Sequence, residues 1–200
     1  MLASTSARRE AAFSIERSYR ATVRQDQSLA NLWLISDERN DAVLERALGR
    51  LPRGSGFIYR HYHLDDEQRY RRFRCLQLIA NAFGHTVVLA DSALTAAEWG
   101  ADGIYGAPKS LWPRRHGLLY LATAHNLGEI GQANRIGSDG ILLSPIFATN
   151  SHPGADSHGP ARFRMLASHA NAPVIALGGM DFRRARTVDW PRWAAIDGLS

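Results

Sequence analysis

The 200-residue chain has a single cysteine, Cys75, and a single lysine, Lys109. It also has no apolar run near the roughly 18 residues that a membrane-spanning helix requires. One cysteine excludes an internal disulfide. Cys75 sits among Arg72, Phe73, Arg74 and Leu76 in a helix-like stretch and is expected to be a buried or half-buried structural thiol. The N-terminus lacks the basic-then-apolar order of a secretory signal, so the sequence reads as cytoplasmic, with no membrane partner. No GxSxG elbow, Walker loop or strand-following GxGxxG is present. The histidines lack an HxxxH pair or a cysteine partner, which argues against a transition-metal site.

The scarcity of lysine shapes the charge. All of the 24 basic residues except Lys109 are arginine, and the net charge is +5. The arginines are scattered, as at Arg8 and Arg9, Arg71, Arg72 and Arg74, Arg114 and Arg115, and Arg183, Arg184 and Arg186. A nucleic-acid-binding surface concentrates such residues on one face. The spread fits compositional bias and a basic rim for a small phosphorylated ligand, with no nucleic-acid partner.

Short apolar, β-rich runs alternate with helix-like stretches, the pattern of βα units around a parallel sheet. Strands are expected at Leu32–Ser36, Gly56–Tyr62, His85–Ala90, Gly103–Tyr105, Leu118–Ala122, Gly140–Ser144, Pro173–Leu177 and Trp193–Ile196. Helices are expected at Asp41–Leu51, Asp65–Phe83, Ala93–Trp99, Asn126–Ile136, Pro160–Ala170 and Asp181–Val188. Asp65, Asn126 and Asp181 are N-cap types, while Gly84, Gly100 and Gly137 close helix ends. The fold class is therefore α/β, a small (β/α)8 TIM barrel spanning residues 31–200, at the lower end of the size range for that fold. The Gly106–Gly117 connection carries Pro108 and Pro113 and no helical period, and no sequence remains after the last strand for a final helix. Residues 1–30 form an N-terminal extension in which Ala11, Ala12, Ile15, Tyr19 and Val23 share one face of an extra amphipathic helix. That helix is expected to cover the slot after the eighth strand or the barrel floor.

In such a barrel the chemistry sits where strands end. The residues there are Ser36, Asp37 and Glu38; Arg60, His61 and His63; Asp91; Thr123 and His125; the loop Pro145–Gly159; Gly178 and Gly179; and Asp197 and Gly198. Arg60, within an otherwise apolar strand, needs an anionic partner, either a ligand or an intramolecular Asp37 or Asp91. His61 and His63, two apart on a strand, are expected to point to one face. The loop offers Thr149, Asn150, Ser151 and His152 as polar groups, and the Gly178-Gly179 pair permits close backbone approach to a ligand.

Several segments together resemble the thiamine phosphate synthase and thiazole tautomerase family. LISD (Leu34–Asp37) is similar to its L-I-T-D, ADGIYG (Ala101–Gly106) to A-D-G-V-H-L-G, and TAH (Thr123–His125) to S-x-H. DGILLSPIFATNSHPG is similar to D-Y-x-x-x-G-P-I-F-x-T-x-T-K, and PVIALGGM to P-V-V-A-I-G-G-I. The resemblance implies a transferase of thiamine biosynthesis that joins hydroxymethylpyrimidine diphosphate to a thiazole phosphate and releases pyrophosphate. It implies that Arg60 holds the diphosphate, with His61 beside it, and that Asp91 binds Mg²⁺. It further implies that Thr123 matches a strand-five serine, that Thr149 and Ser151 contact a phosphorylated substrate, and that Gly178 and Gly179 bind the thiazole phosphate. Arg60, Thr123 and His152 are its implied catalytic residues.

The sequence also departs from that pattern. Ile58-Tyr59-Arg60-His61-Tyr62 replaces Q-L-R-x-K, and Ala90-Asp91 replaces Asn-Asp. Lys109 is the nearest charge to the position of a second metal-binding aspartate. His152 stands for the loop lysine and Asp197 for a phosphate-loop serine. A thiazole tautomerase-like isomerase, or a non-catalytic barrel that binds a phosphorylated precursor, are the alternative readings.

Overall fold

A computed structural model describes residues 29–148 and 157–200. Eight parallel strands pair in chain order and close into a barrel. They are β1 (Leu32–Ile35), β2 (Gly56–Tyr59), β3 (Thr86–Leu89), β4 (Gly103–Gly106), β5 (Leu119–Ala124), β6 (Gly140–Leu143), β7 (Val174–Ala176) and β8 (Trp193–Ala195). Closure comes from the β1/β8 register Leu32↔Trp193, Trp33↔Ala194 and Leu34↔Ala195. The α-helices are α1 (Leu44–Arg50), α2 (Asp66–Ala82), α3 (Ala93–Trp99), α4 (Leu127–Arg135), α5 (Gly159–Ala167) and α6 (Phe182–Val188). The expected small (β/α)8 barrel is therefore the architecture found. The segment expected to form an extra N-terminal helix falls outside the described residues, as do Thr149, Asn150, Ser151 and His152.

Local chemistry sets the helix boundaries. The Asp65, Asn126 and Asp181 carboxylate or amide oxygens accept the backbone N–H of Gln68, Glu129 and Arg184, so each caps its helix as expected. Gly84, Gly100 and Gly137 take φ of 70°, 73° and 64° just past helix ends, where a Cβ would be strained. No α-helix forms between β4 and β5, where Pro108–Leu111 makes a 3-10 turn. Two further 3-10 segments are Glu38–Val43, before α1, and Asp197–Leu199, after β8. Near the latter the buried Asn40 side chain donates to the carbonyls of Ile35 and Ile196, both at 3.0 Å. This amide ties the end of β1 to the end of β8 at the seam of the barrel.

The period-two alternation of the strands divides the apolar residues into two layers. Trp33, Ile35, Ile58, Val88, Leu121, Leu142, Ile175 and Ala194 fill the barrel interior, with Leu29 and Ala30 packed against them. Their neighbours Leu34, Phe57, Tyr59, Val87, Leu89, Tyr120, Ile141 and Leu143 pack outward in the cluster shared with the helices. Trp33 is wholly buried, and its indole N–H donates to the Ala30 carbonyl at 2.8 Å. It fits because β2 opens with a glycine: a Cβ on Gly56 would lie 2.1 Å from the Trp33 ring. No helix among the described residues is long and apolar enough to cross a membrane.

Two sequence expectations need correction. Cys75 is exposed, because the buried stripe of α2 runs through Arg69, Phe73, Leu76, Gln77 and Ala80 and leaves position 75 outside it. Strand β2 stops at Tyr59, so Arg60, His61 and His63 lie beyond its end; the His61 and His63 rings still come together, 5.0 Å between centroids, but not by strand alternation. His61 instead adopts φ 41°, which turns the chain.

The Trp33–Gly56 contact yields a stability prediction. Gly56→Ala forces a methyl group into the indole, and overpacking of this kind costs about 1–3 kcal/mol. Thermal denaturation is expected to show a melting temperature several degrees lower than wild type. An unchanged value would mean that Trp33 does not occupy the barrel axis as described.

Candidate functional site at the C-terminal rim

The strand ends surround a cavity of about 810 Å³. Arg60 and Tyr62 line it after β2, Tyr105 from β4, Thr123 and His125 at the end of β5, and Ser144 and Pro145 after β6. Gly178, Gly179 and Arg184 line it after β7, and Asp197 and Gly198 after β8. Of the residues to which the family resemblance assigns a role, the cavity brings together Arg60, Thr123, Gly178 and Gly179, and His125, Pro145, Asp197 and Gly198 from the expected strand ends line it as well. It does not include His61 or Asp91.

Arg60 is held by its own peptide. Its N–H donates to the Ser36 hydroxyl oxygen at 2.8 Å, and its carbonyl accepts from Arg69 Nε at 3.0 Å. With both ends of the residue fixed, the guanidinium extends over the Tyr62 ring, 5.7 Å from its centroid. Its acidic neighbour is Asp37, at 4.0 Å, the outer limit of an ion pair. Burial would raise the Asp37 pKa, but hydrogen bonds from Arg39 and the charges of Arg39 and Arg60 outweigh it and hold the carboxylate ionised below its ordinary value. Of the two intramolecular partners foreseen for Arg60, Asp37 is loosely engaged and Asp91 belongs to Arg69.

His61 is not a ligand-facing group. The residue is 1% exposed, stacks on Tyr59 at 4.6 Å, and has both ring nitrogens engaged. Nδ1 lies 2.8 Å from Ser36 Oγ, and Nε2 lies 2.7 Å from Asp41 Oδ1. An ionised carboxylate only accepts, so Nε2 carries the proton. Nδ1 therefore accepts from the Ser36 hydroxyl, whose oxygen in turn accepts the Arg60 N–H. Arg72 completes the chain: its Nε donates to Asp41 Oδ1 at 2.7 Å, and a further guanidinium nitrogen meets Glu45. The expected phosphate-binding role of His61 gives way to a support role, because its buried ring has no nitrogen left for a ligand.

Asp91 is likewise committed. Its Oδ2 accepts from Arg69 Nη1 at 2.5 Å and its Oδ1 accepts from the Ser92 N–H at 2.6 Å. Burial pushes the carboxyl pKa up, and the bonds from Arg69, Ser92 and Thr95 more than reverse that push, leaving it below its ordinary value. Among the described residues no three His, Cys, Asp or Glu side chains come together as a metal site.

On the far side of the seam, Gly178 and Gly179 take φ of 100° and 60°. A Cβ would lie 2.6 Å from Pro145 Cα at the first and 2.6 Å from the Ala148 carbonyl oxygen at the second. The glycines are thus required by the close approach of the loops after β6 and β7, which also brings their backbone to the cavity wall. Arg184, which the sequence reading did not single out, donates to the Gly179 carbonyl at 2.5 Å and lies 5.2 Å over the Phe147 ring. Nothing in the sequence separates it from Arg183 and Arg186 beside it; the loop contacts do. Thr123 interacts with Tyr105, whose phenol pKa is raised by burial and only partly lowered by the threonine hydroxyl. His125 turns toward α4, with Nδ1 2.8 Å from Glu129 Oε2.

The buried ring of His61 gives a pH prediction. Burial favours the neutral imidazole and pushes its pKa below the ordinary histidine value against the opposing pull of Asp41. The unfolded chain therefore takes up this proton first as pH falls. The stability that neutral His61 contributes is complete above about pH 6.5 and is lost as pH drops to the folded-state pKa. Asparagine tolerates a positive φ, so His61→Asn isolates the ring's hydrogen bonds. The variant is expected to lose about 1–3 kcal/mol near neutral pH and to show a shallower acid decline of melting temperature than wild type. His85, also pushed down by burial, acts equally in both. Parallel curves would contradict a neutral, buried His61.

The family model described as thiamine monophosphate synthase matches residues 32–189. A thiamine-phosphate synthase of Chloroflexus aurantiacus is 31% identical over 148 residues, covering 71% of this chain and 67% of that protein. One from Thermosynechococcus vestitus is 30% identical over 176 residues, covering 84% of this chain and 49% of that longer protein. Among solved structures, a thiamine phosphate pyrophosphorylase from Pyrococcus furiosus superposes with a TM-score of 0.70 over 83% of this chain and 85% of its own, at 20% identity. The chain belongs to the thiamine monophosphate synthase family.

Proposed function

We propose that this protein is a cytoplasmic thiamine phosphate synthase, joining hydroxymethylpyrimidine diphosphate to a thiazole phosphate with release of pyrophosphate. The observation that carries this reading is the placement of two guanidinium groups on one cavity. Arg60 follows β2 and Arg184 follows β7, and β1 and β8 separate those strands around the barrel. Two separated cationic ends suit two phosphorylated substrates held with their reacting atoms between them.

As the pyrimidine methylene C–O bond breaks, its electron pair leaves on the diphosphate and the lone pair of the thiazole nitrogen forms the new C–N bond to that methylene carbon, so negative charge grows at the diphosphate end. A fixed guanidinium there stabilises the leaving group more than the bound ester, which is the condition for lowering the barrier. Arg60 takes this role, its peptide already clamped so that little reorganisation accompanies the step. Gly178, Gly179 and Arg184 take the thiazole phosphate. Thr123, beside Tyr105 at the cavity wall, positions the pyrimidine. Thr149, Ser151 and His152 lie between β6 and α5 in the sequence and, by their place in the family motif, contact the phosphorylated substrates, with His152 donating to the leaving diphosphate. Asp197 would repel phosphate, but Arg39 Nη1 lies 3.3 Å from its Oδ2 and offsets that charge.

The family implies Mg²⁺, held in part by Asp91. The described residues do not fit that ion: Asp91 Oδ2 is engaged by Arg69 and Oδ1 by the Ser92 N–H, and among the described residues no three metal-ligand side chains come together.

The assay is direct. Purified protein given both substrates, with Mg²⁺ present, is expected to form thiamine phosphate and pyrophosphate. Arg60→Ala is expected to lower kcat/KM by about 100-fold or more, the scale for loss of a charge-stabilising donor. Arg184→Ala is expected to act chiefly through KM for the thiazole phosphate. If no product forms while the thiazole phosphate alone raises the melting temperature, the barrel binds a precursor without turning it over, and the synthase reading fails.

A further inference from the structure

The rim between β2 and β3 already contains a cation. Arg69 projects from α2 and is 6% exposed. Its Nε donates to the Arg60 carbonyl at 3.0 Å, its Nη2 to the Ala90 carbonyl at 3.0 Å, and its Nη1 to Asp91 at 2.5 Å. The Tyr62 and Trp99 rings each approach its guanidinium carbon at 5.5 Å. Each of its three nitrogens donates a hydrogen bond, and the bonds join the chain after β2 to the chain after β3.

Two consequences follow for a divalent ion. A magnesium ion needs oxygen ligands in near-octahedral array and normally draws on one or two carboxylates beside substrate phosphate. Asp91 is the carboxylate at this point of the rim, and a metal there would have to take it from Arg69. That would leave a buried guanidinium without its counter-ion and place a dication beside it, both unfavourable.

We infer that Arg69 stands in place of the metal ion, with Asp91 as its counter-ion, and that the anion held by Arg60 is bound without a divalent cation. Arg69 acts as a positioning residue: it fixes the Arg60 carbonyl while Ser36 fixes the Arg60 N–H, and it does not itself line the cavity. This inference rests on the reading of the cavity as an anion site, and the experiment separates the two.

Inorganic pyrophosphate is titrated calorimetrically into the wild-type protein in EDTA and in excess Mg²⁺, and Mn²⁺ alone is titrated into wild type and Asp91→Asn with free Mn²⁺ followed by electron paramagnetic resonance. The expected result is a pyrophosphate Kd that agrees within about twofold between the two buffers, with no Mn²⁺ uptake that depends on Asp91. A loss of about tenfold or more in affinity on removing Mg²⁺, or Mn²⁺ binding abolished by Asp91→Asn, would overturn the inference. If pyrophosphate binds in neither buffer, the anion-site reading of the Arg60 end fails and takes with it the metal-free anion binding. The Mn²⁺ arm then decides separately whether Asp91 is a counter-ion or a ligand. If Asp91→Asn does not fold, Mn²⁺ uptake by the wild type decides: none supports the counter-ion assignment, and stoichiometric binding overturns it.

Discussion

Everything at the rim depends on the closure of β1 onto β8. The strands are only three to six residues long, so no one pairing is strong, and an open sheet would leave two parallel edges unpaired. Closure removes both edges and requires an interior that can be filled, which Trp33 achieves opposite Gly56. At the seam, among the described residues, a 3-10 turn follows β8. The buried Asn40 amide, reaching the Ile35 and Ile196 carbonyls, and the Arg39–Asp197 pair hold the two strand ends together there. Closure in turn sets the strand ends around one cavity, so the distance between the β2 and β7 ends is a property of the barrel and not of flexible loops.

Within that frame the structure invests most heavily in Arg60. Its peptide is bonded on one side to Ser36, which is supported by His61, Asp41 and Arg72, and on the other to Arg69, which is supported by Asp91. These polar groups are satisfied by one another, the condition under which buried polar networks confer rigidity without leaving a desolvated group unpaired. The residues that a sequence motif marks as ligands divide accordingly. Arg60 faces the cavity, while His61 and Asp91, one and thirty-one positions further on, serve the residues that hold it.

Much of the fold was legible in the sequence. Each expected strand exists, and the Asp65, Asn126 and Asp181 caps and the closing glycines fall where local chemistry places them. These signals are local: they depend on neighbours within a turn of helix or on alternation along a strand. What was missed depends on geometry across the chain. The end of β2 falls earlier than expected: Arg60-His61-Tyr62 continues an alternating pattern in the sequence, whereas the His61 ring with its positive φ is held by Ser36, just past the end of β1, and by Asp41. Cys75 was expected to be buried from its residue type, but its azimuth on α2 faces solvent. Arg184 could not be told from the other scattered arginines until the β6 and β7 loops brought Phe147 and Gly179 against it. The loop residues Thr149, Ser151 and His152 remain legible from the motif alone.

The central claim is that a guanidinium on a doubly clamped peptide binds the diphosphate end of the substrate. It is tested most directly by a crystal structure of the protein with pyrophosphate grown without divalent metal. The account predicts electron density for the anion on the Arg60 guanidinium, with the Ser36 and Arg69 bonds to its peptide and the Arg69–Asp91 pair all intact. Density for the anion away from Arg60, or an Asp91 side chain turned from Arg69 toward the anion site, would contradict it.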